Sequence, residues 1–171
     1  MKLKKYFFNS VSSTNDEAMQ KIRQDIISGI IIAKKQTKGR GRYGNKWIYM
    51  KNNLFMSVFF SLNSNIVTRK LTETCCRIVH KSLVNLLNIK IKVKKPNDLM
   101  ISKKKVCGIL QEIIIHKQNK FAVIGIGINV DSSPNIKKYS TTHLNLYTKK
   151  RLTISKIFNE IKRNFEDFLN N

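Results

Sequence analysis

The sequence predicts one α/β domain spanning residues 1–171, and three observations lead there. Apolar runs such as Gly29-Ile30-Ile31-Ile32-Ala33 and Leu54-Phe55-Met56-Ser57-Val58-Phe59-Phe60 are short, rich in branched and aromatic residues, and read as buried strands. Three other segments instead repeat apolar residues every three or four positions, as amphipathic helices do. A chain of 171 residues that is 42% hydrophobic can bury one sizeable core without dividing.

A first strand is expected near Lys4–Phe8. Ser13-Thr14-Asn15-Asp16-Glu17 then opens a helix in the manner of an N-cap. That helix is expected from about Asn15 to Ser28, with Ala18, Met19, Ile22 and Ile26 on one face. The two apolar runs quoted above follow, one on each side of a basic loop. A second helix is expected over Val67–Leu87, with Leu71, Cys75, Val79 and Leu86 in register. Strands near Ile89–Lys94, Leu99–Ile101, Val106–His116 and Phe121–Asn129 supply most of the sheet, with Ser102-Lys103-Lys104 as a hairpin tip. Asp131 to Arg151 is polar, contains Pro134 and reads as a loop. A last amphipathic helix, about Ile154 to Leu169, turns Ile157, Ile161, Phe165 and Phe168 inward. No repeat or linker interrupts this order.

Chemistry concentrates in Gln36-Thr37-Lys38-Gly39-Arg40-Gly41-Arg42-Tyr43-Gly44-Asn45-Lys46-Trp47. Glycine lets backbone amides approach an anion and arginine binds phosphate bidentately, so the loop suits a phosphorylated ligand. A solvated basic turn is the equal alternative on this segment alone. Like charges with little to bury make the loop mobile in the free protein, by expectation. Of the 7 glycines, Gly39, Gly41 and Gly44 lie in this loop, while Gly108, Gly125 and Gly127 lie in strand-like runs. Glycine weakens a strand, so its presence there points to a ligand or backbone held close to the sheet, or else to a bulge or tight packing. Gly125 and Gly127 alternate, so the slot they leave is on one face. Pro96-Asn97-Asp98 is a turn. Asp98 could hold a metal ion, orient a lysine, or cap its own turn. Lys105 enters a strand close to Gly108.

Four segments, in order and spacing, resemble the catalytic domain of biotin–protein ligases: Ser13-Thr14-Asn15, the loop Gln36 to Trp47, Pro96-Asn97-Asp98 with Lys105 and Gly108-Ile109, and Gly125-Ile126-Gly127-Ile128-Asn129. The family usually has tryptophan before Pro-Asn-Asp, where this chain has Lys95. The resemblance implies an α+β type of α/β fold, a mixed, largely antiparallel sheet backed by helices. It implies ATP-dependent conversion of biotin to biotinyl-5'-AMP and transfer to a lysine on the biotin-carrier domain of a biotin-dependent carboxylase. It leads us to expect a domain without the C-terminal β-barrel usual in the family and without the N-terminal DNA-binding winged helix of some relatives.

Residue by residue, the resemblance implies a biotin site from Ser13, Thr14, Asn15, Gln36, Gly39, Arg40, Gly41, Arg42, Lys105 and Gly108. It implies nucleotide contacts from Arg40, Arg42, Trp47, Asn97, Asp98, Lys105 and Asn129, with Lys105 and Arg42 catalytic. Arg40 and Arg42 would clamp phosphates and the biotin carboxylate; Lys105 would neutralise charge developing at phosphorus. Asp98 is a candidate contact for Mg²⁺. Trp47 would pack on adenine, or alternatively anchor the loop to the core.

The formal net charge of +23 makes nonspecific nucleic-acid binding the rival reading. The lysines are spread along the chain, however, with no aromatic ladder or helix-turn-helix signature, and no specific DNA binding is expected. A lipoate or octanoate transferase of the same fold is the nearer rival, which the Gly-Arg-Gly-Arg loop disfavours. No run is long enough for a membrane span, and the basic start Met1 to Phe8 lacks the apolar stretch of a secretory signal, so none is expected. The 3 cysteines have no metal-ligand spacing and suit buried thiols in a cytoplasmic protein. The resemblance also allows a homodimer.

Overall fold

Alternation with a period of two builds the sheet, and the two sets of side chains so separated decide what packs on each face. The computed structural model describes residues 1–62 and 68–170. Its strands are β1 (Lys5–Val11), β2 (Ser28–Gln36), β3 (Leu54–Ser61), β4 (Lys92–Lys94), β5 (Asp98–Ile101), β6 (Lys104–His116) and β7 (Asn119–Ile128). They form one 7-stranded sheet in the order β1-β2-β3-β7-β6-β5-β4. Only β1 with β2 is parallel; every other pairing is antiparallel. The sheet is therefore mixed and largely antiparallel, as expected.

On one face Ile30, Met56, Val58, Phe60, Ile124 and Ile126 form the larger core. Helices α2 (Thr68–Leu86) and α3 (Ile154–Asn170) cover it. Leu71, Cys75, Val79 and Leu83 of α2 and Ile157, Ile161 and Phe165 of α3 point into it at helical spacing. The opposite face is covered by the shorter α1 (Thr14–Arg23), whose Ala18 and Ile22 pack on Ile31, Phe59 and Val123. One helix covers only part of that face. Beyond it the strands carry Ser57, Gly125, Gly127 and Gly108 instead of large apolar groups. Among the described residues, no helix is long and apolar enough to cross a membrane.

Several boundaries differ from the sequence reading. α1 stops at Arg23, short of Ser28, because Asp25 turns into the left-handed region at φ 63°. Its carboxylate takes hydrogen bonds from His116 at 2.9 Å and Lys117 at 2.6 Å, tying the turn to the β6–β7 hairpin. Ile26 leaves the helix yet still packs with the α1 cluster. β1 runs on to Val11 because β2 offers a parallel partner as far as Gln36. β4 is only three residues long, with Ile91 turned into the core before pairing begins. The expected start of the second helix, Val67, lies outside the described residues. The stretch from Asp131 to Arg151 contains one short 3₁₀ turn, Leu144–Tyr147. Cys75, Cys76 and Cys107 are free and buried, and burial pushes the Cys76 thiol up to about 11.

Phe165 is fully buried between α3 and the sheet, whereas Leu146 stands in solvent. Phe165→Ala should therefore cost about 3–5 kcal/mol, as large-to-small core changes do. Leu146→Ala should shift stability by less than about 0.5 kcal/mol. Chemical denaturation of the two variants measures the contrast, and equal losses would contradict the layer assignment.

Candidate functional site

The uncovered part of the α1 face becomes a cleft because its floor lacks β-carbons. Gly108 of β6 lies opposite Gly127 of β7, and Gly125 lies opposite Ser57 of β3. The Trp47 indole lies in the trough so formed. A β-carbon at Gly127 would overlap the indole, and one at Gly108 would stand 2.7 Å from its Cζ3. A β-carbon at Gly125 would stand 2.6 Å from Asn15 Oδ1. Glycine is needed here for close approach of side chains, not for an unusual φ.

Around this floor lies a cleft of about 240 Å³. Ser13, Thr14, Asn15, Gln36, Arg40, Gly41, Arg42, Trp47, Asn97, Asp98, Lys105 and Gly108 all line it, brought in from β2, α1, β5, β6 and the basic loop. Gly39 lines an adjoining hollow under the loop instead. Asn129 stands behind Trp47, where its amide donates to the Thr142 carbonyl at 3.0 Å.

One end of the cleft is polar and buried. Gln36 Oε1 accepts from the Thr14 N–H at 2.8 Å and from the Thr14 hydroxyl at 3.0 Å. The single Ser57 hydroxyl proton is shared between Thr14 Oγ1 at 2.8 Å and Asn15 Oδ1. Ser13, Thr14, Asn15, Gln36 and Ser57 are all buried. Ser13 occupies the N-cap position of α1 but makes no side-chain capping hydrogen bond. The helix start thus leaves that hydroxyl for other partners.

The other end is cationic. Lys105 pairs with Asp98 at 2.8 Å, and the two side chains are only 16% and 19% exposed. A buried Asp98 oxygen has no aligned hydrogen bond among the described residues, so the ammonium is what compensates its charge. Trp47 Nε1, also at this cleft, is buried with neither a hydrogen bond nor an ionic partner among the described residues. Unpartnered buried polar atoms are rare in folded proteins, so this indole nitrogen is a candidate ligand contact. Arg42 reaches Asn97 Oδ1 at 3.4 Å and Tyr43 Oη at 2.9 Å, with no carboxylate partner among the described residues. No group of three His, Cys, Asp or Glu side chains suited to a metal ion occurs among the described residues. Asp98, the candidate Mg²⁺ contact, has Lys105 as its charged partner among the described residues.

The basic loop is tied by backbone hydrogen bonds of its own. Trp47 N–H donates to Gly39 O at 2.9 Å and Gly41 N–H to Asn45 O at 2.6 Å. The loop's expected mobility rested on like charges with nothing to bury, but Trp47 has the glycine trough and Arg40 has two carboxylates. Arg40 pairs with Asp16 at 2.7 Å and with Glu112 at 3.2 Å. Partial burial opposes its charged form, but the two carboxylates outweigh this and hold its pKa above the ordinary value. Tyr43, at 88% exposed, marks the solvent side of the loop. Lys95, in place of the family's tryptophan, is exposed and pairs with Glu73 at 3.4 Å.

Sequence reasoning missed four residues. Ser57 and Glu112 look like ordinary strand positions until register sets them beside Asn15. Tyr139 lies in the polar loop yet holds its ring 5.3 Å from Lys105 Nζ, which is 5.6 Å from the Trp47 ring. Asn53 is buried and accepts backbone N–H bonds from Val130 at 2.8 Å and Asp131 at 3.2 Å. It thereby fixes the chain as it leaves β7. An asparagine directly before a strand was the available signal for it.

The model of the Biotin/lipoate A/B protein ligase family matches residues 7–129. The bifunctional ligase/repressor BirA of Bacillus subtilis is 32% identical over 133 residues, covering 75% of this chain and 41% of that protein. The chain thus spans about two fifths of the length of such curated relatives. The structure of a biotin protein ligase from Aquifex aeolicus in complex with biotin and ATP is 27% identical with a TM-score of 0.80, covering 98% of this chain and 70% of that one. A Leishmania major biotin protein ligase structure, in complex with biotinyl-5-AMP, shares the fold at 23% identity and a TM-score of 0.84, over 98% and 75% of the two chains.

Gly127→Ala should expel the indole from its trough while leaving the α2–α3 core intact. Amide hydrogen exchange should then accelerate at Gly41 and Trp47 but not in α3. Unchanged exchange in the loop would show that the trough does not anchor it.

Proposed function

The chain belongs to the biotin/lipoate A/B protein ligase family, and we propose that it activates biotin with ATP and transfers it to a lysine of a biotin-carrier domain of a carboxylase, as a single catalytic domain over residues 1–171. The observation that carries this reading is the division of one cleft into a neutral, buried, hydrogen-bonding end and a cationic end. Biotin has the same division: a polar urea edge on an apolar bicycle, and a carboxylate at the end of its chain. Thr14, Asn15, Gln36 and Ser57 offer donors and acceptors to a urea. Lipoate or octanoate, with a dithiolane or bare alkyl end, would place an apolar group against these buried polar atoms and match none of them, which disfavours the rival transferases.

The reaction joins two anions. A biotin carboxylate oxygen bonds to the α-phosphorus of ATP as the bond from that phosphorus to pyrophosphate breaks. Positioning and charge neutralisation carry such a step. Lys105 is suited to it because Asp98 orients its ammonium and the Trp47 and Tyr139 rings restrict it. Arg42 is the second cation, aimed by Asn97. No step is assigned to a metal ion on these residues. The acceptor amine then attacks the acyl carbon and AMP departs, so no protein nucleophile is required. This suits three buried thiols, none of which lines the cleft.

In an assay with ATP, biotin and a biotin-carrier domain, biotin transfer should appear as a mass shift on the carrier. No transfer and no pyrophosphate release would sink this reading. Lys105→Ala should slow pyrophosphate release by about a hundredfold, roughly 3 kcal/mol, as loss of a charged transition-state partner does. Lys103→Ala, at the exposed hairpin tip, should change it little. Biotin and ATP together should also slow trypsin cutting at Lys38, Arg42 and Lys46 more than either alone, since the adenylate fills both ends of the cleft.

A further inference from the structure

We infer that Glu112 is a positioning residue that fastens the basic loop to the buried polar pocket, and that Arg40 is the latch it holds and not an anion ligand. This rests on the proposed reading for what the pocket and loop bind, but the latch itself is a property of the free protein.

The geometry is continuous. Ser57 donates to Asn15 Oδ1, which fixes the orientation of the Asn15 amide. The Asn15 nitrogen then donates to Glu112 Oε2 at 2.6 Å. The same oxygen takes Arg40 Nη2 at 3.2 Å, and Glu112 Oε1 lies 3.4 Å from it. The other end of the guanidinium meets Asp16 Oδ1 at 2.7 Å, and Ser12 donates to the second Asp16 oxygen at 3.3 Å. Glu112 reaches Asn15 because it lies opposite Val123 on the α1 face, and Asn15 reaches Glu112 because Gly125 leaves it room.

Charge assigns the roles. Arg40 lies between two carboxylates, so the local sum of that trio is negative and offers an incoming phosphate no net attraction. Arg42 has only neutral partners among the described residues. The two arginines of the loop therefore divide the work: Arg40 fixes the loop's root and Arg42 meets the ligand. A carboxylate that turns the Asn15 amide also couples pocket to loop. A ligand that reorients Asn15 changes what Glu112 can hold.

The test uses the full chain and two readouts. The first needs no biotin chemistry: the rate at which trypsin cuts after Lys46 in the free protein. Glu112→Ala and Arg40→Ala should each speed that cut by about tenfold, and the double variant should be no faster than either single, as members of one unit behave. Far-UV circular dichroism confirms that each variant is folded. Additive effects, or no acceleration from Glu112→Ala, would overturn the latch. The second readout is biotin-dependent ATP–pyrophosphate exchange. Glu112→Ala and Arg40→Ala should raise KM for biotin more than they lower kcat, whereas Arg42→Ala should lower kcat. A fall in kcat for Arg40→Ala as large as that for Arg42→Ala would make Arg40 an anion ligand and reject the division of roles. Wild-type protein without exchange would reject the biotin reading alone, while the trypsin result still decides the latch.

Discussion

The cleft exists because side chains are missing. Gly108 and Gly127 face each other across β6 and β7, and Gly125 faces Ser57 across β7 and β3. The trough accepts the Trp47 ring and the space over Gly125 accepts Asn15. Both placements then propagate. Trp47 closes the basic loop through Gly39, and its ring helps restrict Lys105. Asn15 carries the polar pocket across to Glu112. A side chain at any of these glycines would lift one of the groups off the sheet, and the parts of the cleft would separate. Sheet register thus decides the site, because a slip of one residue in β7 would turn both glycines to the α2–α3 face.

Scarce negative charge is placed with some economy. Among 10 acidic residues in a chain of net charge +23, Asp98 at the cleft and Asp16 and Glu112 at the adjoining hollow each stand beside a cation. A cationic site crowded with lysine and arginine would repel itself without them. These carboxylates orient Lys105 and Arg40 while leaving Arg42 without a carboxylate among the described residues. Over the rest of the surface positive charge is diffuse, and several lysines lie over aromatic rings, such as Lys21 and Lys4 over Tyr6.

Much of this was legible in the sequence because the signals were local. The apolar runs around Ile31 and Phe59 gave strands, and the spacing of Leu71, Cys75 and Val79 gave a helix. The glycine and arginine loop announced itself by composition. What was not legible depends on register and on distant partners. Nothing near Glu112 tells that it will face Asn15, ninety-seven residues away. The early end of α1 depends on Asp25 finding His116 and Lys117 on another hairpin. Arg40 and Arg42 look alike in the sequence, and only the placement of Asp16 and Glu112 separates them.

Trp47 is the only tryptophan in the chain, and it lies where the loop, the glycine trough and Lys105 meet. Its surroundings are far from uniform: a nearby ammonium, a tyrosine-lined wall beyond it, and an indole nitrogen without a partner among the described residues. Indole emission responds to nearby charge and to water. The protein therefore carries its own optical probe at the root of the loop. Light absorbed by tryptophan alone would report on this one place, with no label attached and no background from the helical core.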